Sequence, residues 1–182
     1  MKETILVTGG TGFIGSHTTV ELQNAGYDVV IVDNLSNSKE DVIDGIEKIT
    51  GIRPAFEKVD LRDQEATEAV FRKYPKISGI IHFAASKAVG ESVQIPLVYY
   101  RNNIISLVNL LELMPKYDVK GIIFSSSCTV YGQPDVLPAT EETPIKKAES
   151  PYGNTKQNKE EIAISTRCES KSSSIIVIPE SI

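Results

Sequence analysis

A glycine-rich turn near the start of the chain joins a predicted strand to a predicted helix. Residues 4–8 are mostly β-prone, and Gly10, Gly12 and Gly15 follow them in the spacing G-x-G-x-x-G, with Gly9 starting an overlapping G-x-x-G-x-x-G. Glycines so spaced allow a tight turn, a close approach of the backbone to a pyrophosphate, and close packing of helix on strand. The helix N-terminus also offers unpaired N–H groups and the positive end of its dipole to phosphates. The stretch therefore predicts a dinucleotide-binding unit.

A second predicted strand, residues 28–32, ends in an acidic residue. Asp33 comes 18 residues after Gly15. A carboxylate here can accept hydrogen bonds from an adenosine ribose and repels a 2′-phosphate, so NAD is favoured over NADP. An unrelated βαβ unit with a surface acid is the alternative, and the order of strand, turn, helix, strand and acid disfavours it. In the polar loop that follows, Asn37 and Ser38 are equally compatible with adenosine contact and with capping the next helix.

Composition limits the classes of partner and of site. The length of 182 residues suits one well-buried domain. A net charge of −5 argues against nucleic acid and anionic membranes as partners, but it leaves room for a phosphorylated ligand held by local amides. The apolar runs are too short to span a bilayer, and the N-terminus lacks a signal-peptide pattern. Cys128 and Cys168 have no metal-ligand spacing, so no metal site and a reduced, cytoplasmic setting are expected.

The order of the remaining elements predicts the fold class. Further strands are expected at 53–60, 79–83 and 121–124, and helices at 12–24, 41–49, 62–74, 99–114 and from 150 onward. A proline-punctuated loop at 137–150 is long enough to lie over a ligand site. This alternation predicts an α/β fold with a doubly wound parallel sheet, a Rossmann-type NAD-binding domain covering 1–182. His82, in an apolar strand, is expected to be a hydrogen-bonded core histidine, and catalysis by it or by His17 is not expected.

The helix from residue 150 carries a pair of residues suited to acid–base chemistry. Tyr152 and Lys156 are four residues apart and therefore share one face of a helical turn. A nearby cation favours the phenolate, so we expect the pKa of Tyr152 to fall below its reference of about 10. Tyr152 would then serve as a general base for a substrate hydroxyl. Lys156 can hydrogen-bond a nicotinamide ribose, and Ser127, after the strand at 121–124, can hold the same hydroxyl. Such a pair also arises by chance on protein surfaces; its place after a dinucleotide fingerprint favours catalysis.

These motifs resemble a known family. The set Thr8-Gly9-Gly10-x-Gly12-x-x-Gly15, Ser127 and Tyr152-x-x-x-Lys156 is similar to the extended short-chain dehydrogenase/reductases. Within that family, the segments 82–93, 124–132 and 150–153 resemble the UDP-glucose 4-epimerases, and the match runs from residue 4 to about 160. The resemblance implies NAD as a tightly held cofactor. It also implies UDP-glucose and UDP-galactose as the substrates, and assembly as a homodimer. It implies a catalytic cluster of Ser127, Thr129, Tyr152 and Lys156, with Lys87, Ser127 and Tyr152 also contacting substrate.

The resemblance also implies a set of cofactor contacts. These follow the groove expected at the carboxyl ends of the strands, from pyrophosphate turn to adenosine and then to nicotinamide. They are Gly9, Gly12, Phe13, Ile14 and Gly15 at the turn, Asp33, Asn34, Leu35, Ser36, Asn37 and Ser38 around the ribose, Asp60 and Leu61 at the adenine, and Phe83, Ala84, Ala85, Ser86, Lys87, Asn102, Tyr152 and Lys156 along the rest. A role of Asp60 as helix N-cap is compatible with the adenine contact, and both can hold together.

The mechanism that the resemblance implies is C4 epimerisation of a UDP-sugar through a transient 4-keto sugar, as in galactose metabolism. Sibling enzymes that dehydrate nucleotide sugars carry acidic residues after the equivalent of Ser127, where this chain has Cys128 and Thr129, so epimerisation is preferred. After about residue 161 the match weakens, and the Arg-aromatic-aromatic-Asn segment of the family is absent. The family's smaller substrate domain, expected beyond this point, is missing from the sequence. The alternative is therefore a catalytically incomplete NAD-binding fragment or interaction module.

Overall fold

A six-stranded parallel sheet forms the centre of the described structure. The computed structural model describes residues 2–135, 138–140, 142–169 and 174–178. The strand order is β3-β2-β1-β4-β5-β6, and each neighbouring pair is parallel. The strands are β1 (Thr4–Thr8), β2 (Asp28–Asp33), β3 (Ala55–Lys58), β4 (Ile77–His82), β5 (Gly121–Ser125) and β6 (Ser174–Ile178). The predicted doubly wound parallel sheet is thereby confirmed.

Six helices in the described ranges cover the two faces of the sheet. They are α1 (Phe13–Asn24), α2 (Val42–Thr50), α3 (Gln64–Lys73), α4 (Val89–Gln94), α5 (Pro96–Lys116) and α6 (Pro151–Glu169), with a short 3₁₀ helix at Cys128–Tyr131. One apolar cluster joins β1 and β2 to α1 and α2, and the larger one joins the sheet to α3, α5 and α6. None of these helices is both long enough and apolar enough to cross a lipid bilayer.

Several predicted boundaries were wrong. The third strand covers only Ala55–Lys58, since Pro54 precedes it and cannot donate to a sheet ladder. The following helix is capped by Asp63, whose carboxylate accepts from the Ala66 N–H at 3.0 Å, so Asp60 is not the N-cap. Helix α4 was not predicted; its six residues make fewer than two turns, too few for a periodic pattern. In the predicted loop at 137–150, the residues 138–140 and 142–150 contain neither helix nor strand, whereas 137 and 141 lie outside the described residues.

The direction of the strands brings the predicted site residues to one edge of the sheet. Thr8 is in register with Val32 of β2 and with His82 of β4, so the residues after all three strands lie side by side. The chain order reverses between β1 and β4, where ligands of open α/β sheets bind.

The glycine turn allows this edge to close tightly. Gly9 has φ of +69°, and a Cβ there would lie 2.8 Å from the Ala84 amide nitrogen just after β4. A Cβ on Gly15 would collide with the Gly9 carbonyl oxygen and lie 2.8 Å from the Gly10 Cα. Because both gaps are too small for a Cβ, only glycine lets α1 start directly against the ends of β1 and β4.

Candidate functional site

A groove runs along the carboxyl edge of the sheet from Asp33 to Lys156. Most residues predicted to contact the cofactor lie on its wall: Gly9, Gly12, Phe13, Ile14, Gly15, Asp33, Asn34, Ser36, Asn37, Asp60, Leu61, Phe83, Ala84, Ala85, Ser86, Lys87, Asn102, Tyr152 and Lys156. Sequence reasoning missed four further wall residues, Val32, Val59, Ser106 and Ser125. Each of these adjoins or packs beside a predicted contact, and small or apolar side chains give no motif by themselves.

Four predicted residues lie beside the groove instead of on its wall. Leu35 and Ser38 both donate to a carboxylate oxygen of Asp33, Leu35 through its amide at 2.9 Å and Ser38 through its hydroxyl at 3.2 Å. Ser127 is the N-cap of the 3₁₀ helix, and its Oγ accepts from the Thr129 amide at 3.3 Å and hydroxyl at 3.1 Å. These residues therefore support neighbouring side chains in this structure.

The N-terminal end of α1 faces the groove with its backbone donors. Gly12 is the N-cap, and among the described residues no side chain caps it and no acidic residue occupies the first turn. Phe13, the next residue, is exposed and lies on the groove wall. Uncapped N–H groups at the positive end of a helix dipole suit an anionic ligand such as a pyrophosphate.

At the β2 end of the groove, Asp60 is tied to its own loop. Its carboxylate accepts from the Arg62 amide at 3.0 Å and pairs with the Arg62 guanidinium at 2.6 Å. Hydrogen bonding from Arg62 lowers the pKa of Asp60 against the opposing effect of burial. Asp60 is therefore an anion that keeps the turn after β3 in place beside Leu61.

The other end of the groove holds the tyrosine–lysine pair. Both side chains are buried, and the Lys156 Nζ lies 5.7 Å from the Tyr152 ring centroid. That Nζ donates to the Ser125 carbonyl oxygen at 2.6 Å and lies 5.0 Å from the Phe124 ring centroid. The prediction that the pair shares one face of the helix is confirmed. The end of β5 fixes the ammonium beside the phenol.

A second buried tyrosine stands next to this pair. Burial, and then a 2.5 Å hydrogen bond from its hydroxyl to Glu91, raises the pKa of Tyr99 to about 12. Tyr99 therefore keeps its proton throughout the neutral range. Its hydroxyl is committed to Glu91 as a hydrogen-bond donor.

Asn103 holds the loop after β4 against α6. It is fully buried; its Oδ1 accepts from the Ser86 amide at 2.8 Å, and its Nδ2 donates to the Ser86 carbonyl and the Thr155 hydroxyl, both at 3.0 Å. Sequence reasoning singled out its neighbour Asn102, which donates to the Ser86 hydroxyl at 2.9 Å. Asn103 was missed because its partners lie far away in the sequence.

Lys159 is a fully buried lysine that sequence reasoning also missed. Its Nζ lies 2.9 Å from His82 Nε2, and His82 Nδ1 lies 2.7 Å from the Thr8 hydroxyl. Burial, and next the charge of Lys156, lowers the pKa of Lys159 well below its ordinary value. Burial, followed by the two lysines, likewise lowers the pKa of His82. The prediction of a hydrogen-bonded core histidine is confirmed.

The burial of Lys159 follows from its position on the inward face of α6. Thr155, Lys159 and Ala163 follow one another at intervals of four, and all three are fully buried. Because Thr155 and Lys159 are polar, this face lacks the apolar periodicity that predicts burial. The charge of lysine argued for an exposed position instead.

The chain matches a known protein family over nearly its whole length. A family model described as the NAD dependent epimerase/dehydratase family matches residues 5–182. The chain belongs to this family.

Relatives with about half of their aligned residues identical to the chain are named as UDP-glucose 4-epimerases. The chain is 54% identical over 157 residues to a UDP-glucose 4-epimerase of Schizosaccharomyces pombe. The aligned region covers 84% of the chain and 44% of that protein. It is 53% identical over 158 residues to the UDP-glucose 4-epimerase of Bacillus subtilis, covering 87% of the chain and 46% of the relative. The solved UDP-glucose 4-epimerase of Bifidobacterium longum, in complex with NAD⁺ and UDP, superposes with a TM-score of 0.92 at 48% identity over 96% of the chain and 52% of that protein. The chain thus spans about half the length of the relatives it matches.

The buried amine of Lys159 predicts a pH dependence of stability. Because the pKa of Lys159 is lowered in the fold, the unfolded chain binds one more proton between that pKa and about 10.4. The free energy of unfolding should therefore rise with pH between the lowered pKa and about 10.4, on the order of 1 kcal/mol per pH unit for this group. In Lys159→Met this rise should be lost, measured by urea denaturation at a series of pH values across the neutral and alkaline range.

The exposed Lys120 offers the matched control. Its ammonium pairs with Asp118 at the surface, and Lys120→Met should keep the slope of the wild type. Equal slopes in the wild type and in Lys159→Met would contradict a neutral, buried Lys159.

Proposed function

We propose that this chain carries the NAD-binding and proton-transfer part of a UDP-glucose 4-epimerase. The observation that carries the proposal is one continuous groove that has Asp33 at one end and Tyr152 with Lys156 at the other. The activity would belong to galactose metabolism, and a reduced cytoplasmic setting stays a prediction.

The residues along the groove fit an extended dinucleotide. The uncapped start of α1 suits the pyrophosphate, and the Asp33 carboxylate suits the hydroxyls of the adenosine ribose. Lys156 is held by the Ser125 carbonyl at a position from which it can also donate to the second ribose. The side chains of Ala84 and Ala85 are small. They leave the middle of the groove open, so that the dinucleotide can lie close to the protein backbone there.

Tyr152 is the proposed base for the sugar. NAD, when bound, would supply a hydride acceptor for C4 of the sugar and the hydride donor for reduction of the 4-keto sugar from its opposite face. Tyr152 accepts the proton of the 4-hydroxyl, and the Lys156 ammonium beside its ring favours the phenolate. Ser127 lies close in sequence after β5 and is proposed to orient that hydroxyl, with Thr129 fixing the Ser127 side chain.

A second candidate function has one observation in its favour. The groove by itself supports dinucleotide binding, so the second candidate is an NAD-binding or interaction module without turnover. A coupled assay of UDP-galactose conversion by the chain separates the two. Turnover of UDP-galactose would rule out the second candidate function. NAD binding without turnover would favour it over the first.

The first prediction concerns the choice of dinucleotide. By calorimetry, the chain should bind NAD more tightly than NADP, because the 2′-phosphate of NADP would sit against the Asp33 carboxylate. Asp33→Ala should weaken NAD binding about 10-fold or more, because charge-assisted hydrogen bonds to the ribose are lost. It should also reduce the preference for NAD over NADP.

The same strand supplies the control. Asp28 is an exposed carboxylate at the opposite end of β2, and Asp28→Ala should leave both affinities unchanged. Equal binding of NAD and NADP by the wild type would remove Asp33 from its proposed role.

The second prediction concerns the base. The chain, joined at residue 160 to the C-terminal part of the Bacillus subtilis relative, provides the form in which turnover is measured. Tyr152→Phe keeps the ring but loses the hydroxyl, so NAD binding should persist while turnover falls about 10²- to 10⁴-fold. The measurement is the rate of UDP-galactose conversion with NAD affinity determined in parallel.

Tyr117→Phe is the matched control for this substitution. Tyr117 follows the C-terminal end of α5, and its hydroxyl donates to Glu68 of α3. Removing this hydroxyl should leave turnover at the wild-type level. Near-normal turnover in Tyr152→Phe would transfer the role of base to another residue.

We further propose that the chain forms a homodimer through one side of α5. Leu97, Arg101 and Ile105 follow one another at intervals of four and are exposed, Leu97 to 73%. We call these three residues the α5 face. Leu97 and Ile105 place two exposed apolar side chains on this side of the helix, with Arg101 between them. Exposed apolar side chains on one helix face are typical of an interface, and a second copy of the chain would cover them by two-fold symmetry.

Sedimentation velocity tests the α5 face. The wild-type chain should sediment as a dimer, and Leu97→Asp should shift it toward the monomer by placing a charge in the interface. Ile49, 71% exposed on α2 in the other helix layer, is the control, and Ile49→Asp should stay dimeric. A wild-type monomer at all concentrations, or a dimeric Leu97→Asp, would disprove the proposed interface.

A further inference from the structure

Thr11 lies inside the glycine turn and has no role in the cofactor contacts described above. Its side chain is buried, and its backbone N–H donates to Asp33 Oδ2 at 3.3 Å. Its hydroxyl oxygen lies 2.7 Å from the Ser38 hydroxyl oxygen. Thr11 therefore contacts the loop after β2 through both its main chain and its side chain.

The direction of the hydrogen bonds follows from the donor count. The Ser38 hydroxyl lies 3.2 Å from Asp33 Oδ1, and an ionised carboxylate can only accept, so Ser38 gives its one proton to Asp33. The bond between the two hydroxyls must then be donated by Thr11. The Thr11 hydroxyl thus acts on Asp33 through Ser38.

These contacts use most of what the carboxylate can accept. Oδ1 accepts from Ser38 and from the Leu35 amide at 2.9 Å, which a left-handed backbone at Leu35 (φ +58°) turns toward it. Oδ2 accepts from the Thr11 amide, and among the described residues it has no second donor. An ionised carboxylate has about four acceptor positions, so the remaining capacity lies on Oδ2, held in a fixed direction.

We propose that Thr11 is a positioning residue for cofactor choice: its hydroxyl, through Ser38, fixes the Asp33 carboxylate where it binds the ribose of NAD and repels the 2′-phosphate of NADP. This rests on the proposed NAD binding. A carboxylate free to rotate would lose hydrogen bonds to NAD and could turn away from a 2′-phosphate. The hydroxyl of Thr11 therefore affects the two dinucleotides in opposite directions.

The test replaces this hydroxyl without changing the volume of the side chain. Thr11→Val keeps the shape and the backbone N–H, and Thr11→Ser keeps the hydroxyl. Calorimetric titration of the chain with NAD and NADP should show NAD binding weakened about 3- to 10-fold in Thr11→Val, the range for one lost hydrogen bond, with NADP unchanged or tighter. Thr11→Ser should stay within about twofold of the wild type for both ligands, since the hydrogen bond is kept.

Two further variants separate positioning from a general effect on the fold. Ser38→Ala interrupts the same chain of hydrogen bonds and should move the NAD-to-NADP affinity ratio in the same direction. In an Asp33→Ala background, Thr11→Val should leave the ratio unchanged, because there is no carboxylate to position. Thr50→Val is the matched control. The Thr50 hydroxyl donates a hydrogen bond to Gln23 at the far end of α1, about 16 Å from Gly12 along the helix. This substitution should not alter the NAD-to-NADP affinity ratio.

The outcomes distinguish this inference from the function on which it rests. If the wild-type chain binds neither dinucleotide, the proposed function is wrong and the inference falls with it. If the wild type prefers NAD but Thr11→Val and Ser38→Ala keep its affinity ratio, the function stands and the positioning role of Thr11 is wrong. Equal weakening of both dinucleotides would assign Thr11 a structural role only.

Discussion

The whole site depends on the close approach of the glycine turn to the ends of β1 and β4. Gly9 passes so near the Ala84 amide that a Cβ would overlap it, and Gly15 packs against Gly9 in the same way. This contact starts α1 directly at the sheet edge, where its N–H groups face the groove. It also brings Thr11 within hydrogen-bond reach of Asp33 on the neighbouring strand. A larger residue in the turn would separate the pyrophosphate position from the ribose position.

At the other end of the groove, the inward face of α6 is unusually polar for a buried helix. Lys156 and Lys159 both lie near the Phe124 ring, with their Nζ atoms 5.0 and 4.5 Å from its centroid. Burial, and next the charge of Lys156, lowers the pKa of Lys159, so the neutral amine of Lys159 is favoured in the fold. The pair thereby divides its roles: Lys156 stays available to Tyr152 and the second ribose, and Lys159 links α6 through His82 to Thr8.

The sequence predicted the elements whose signals are local. The glycine spacing, the apolar strands and the Tyr152–Lys156 interval each lie within a few residues, and the sheet and the groove follow from them. Thr11, Asn103 and Lys159 were missed because their partners are 22, 52 and 77 residues away, and no local pattern encodes such contacts. The third strand was predicted too long because the effect of Pro54 was not weighed. Asp60 was one of two open interpretations, adenine contact or N-cap, and the structure gives the N-cap to Asp63.

The most direct test of the central claim is a crystal structure of the chain with saturating NAD. The account predicts the adenosine ribose within hydrogen-bond distance of Asp33 Oδ2, the pyrophosphate at the N-terminus of α1, and the nicotinamide ribose at the Lys156 Nζ. A dinucleotide bound elsewhere, or with its ribose away from Asp33 and its nicotinamide away from Tyr152 and Lys156, would contradict it.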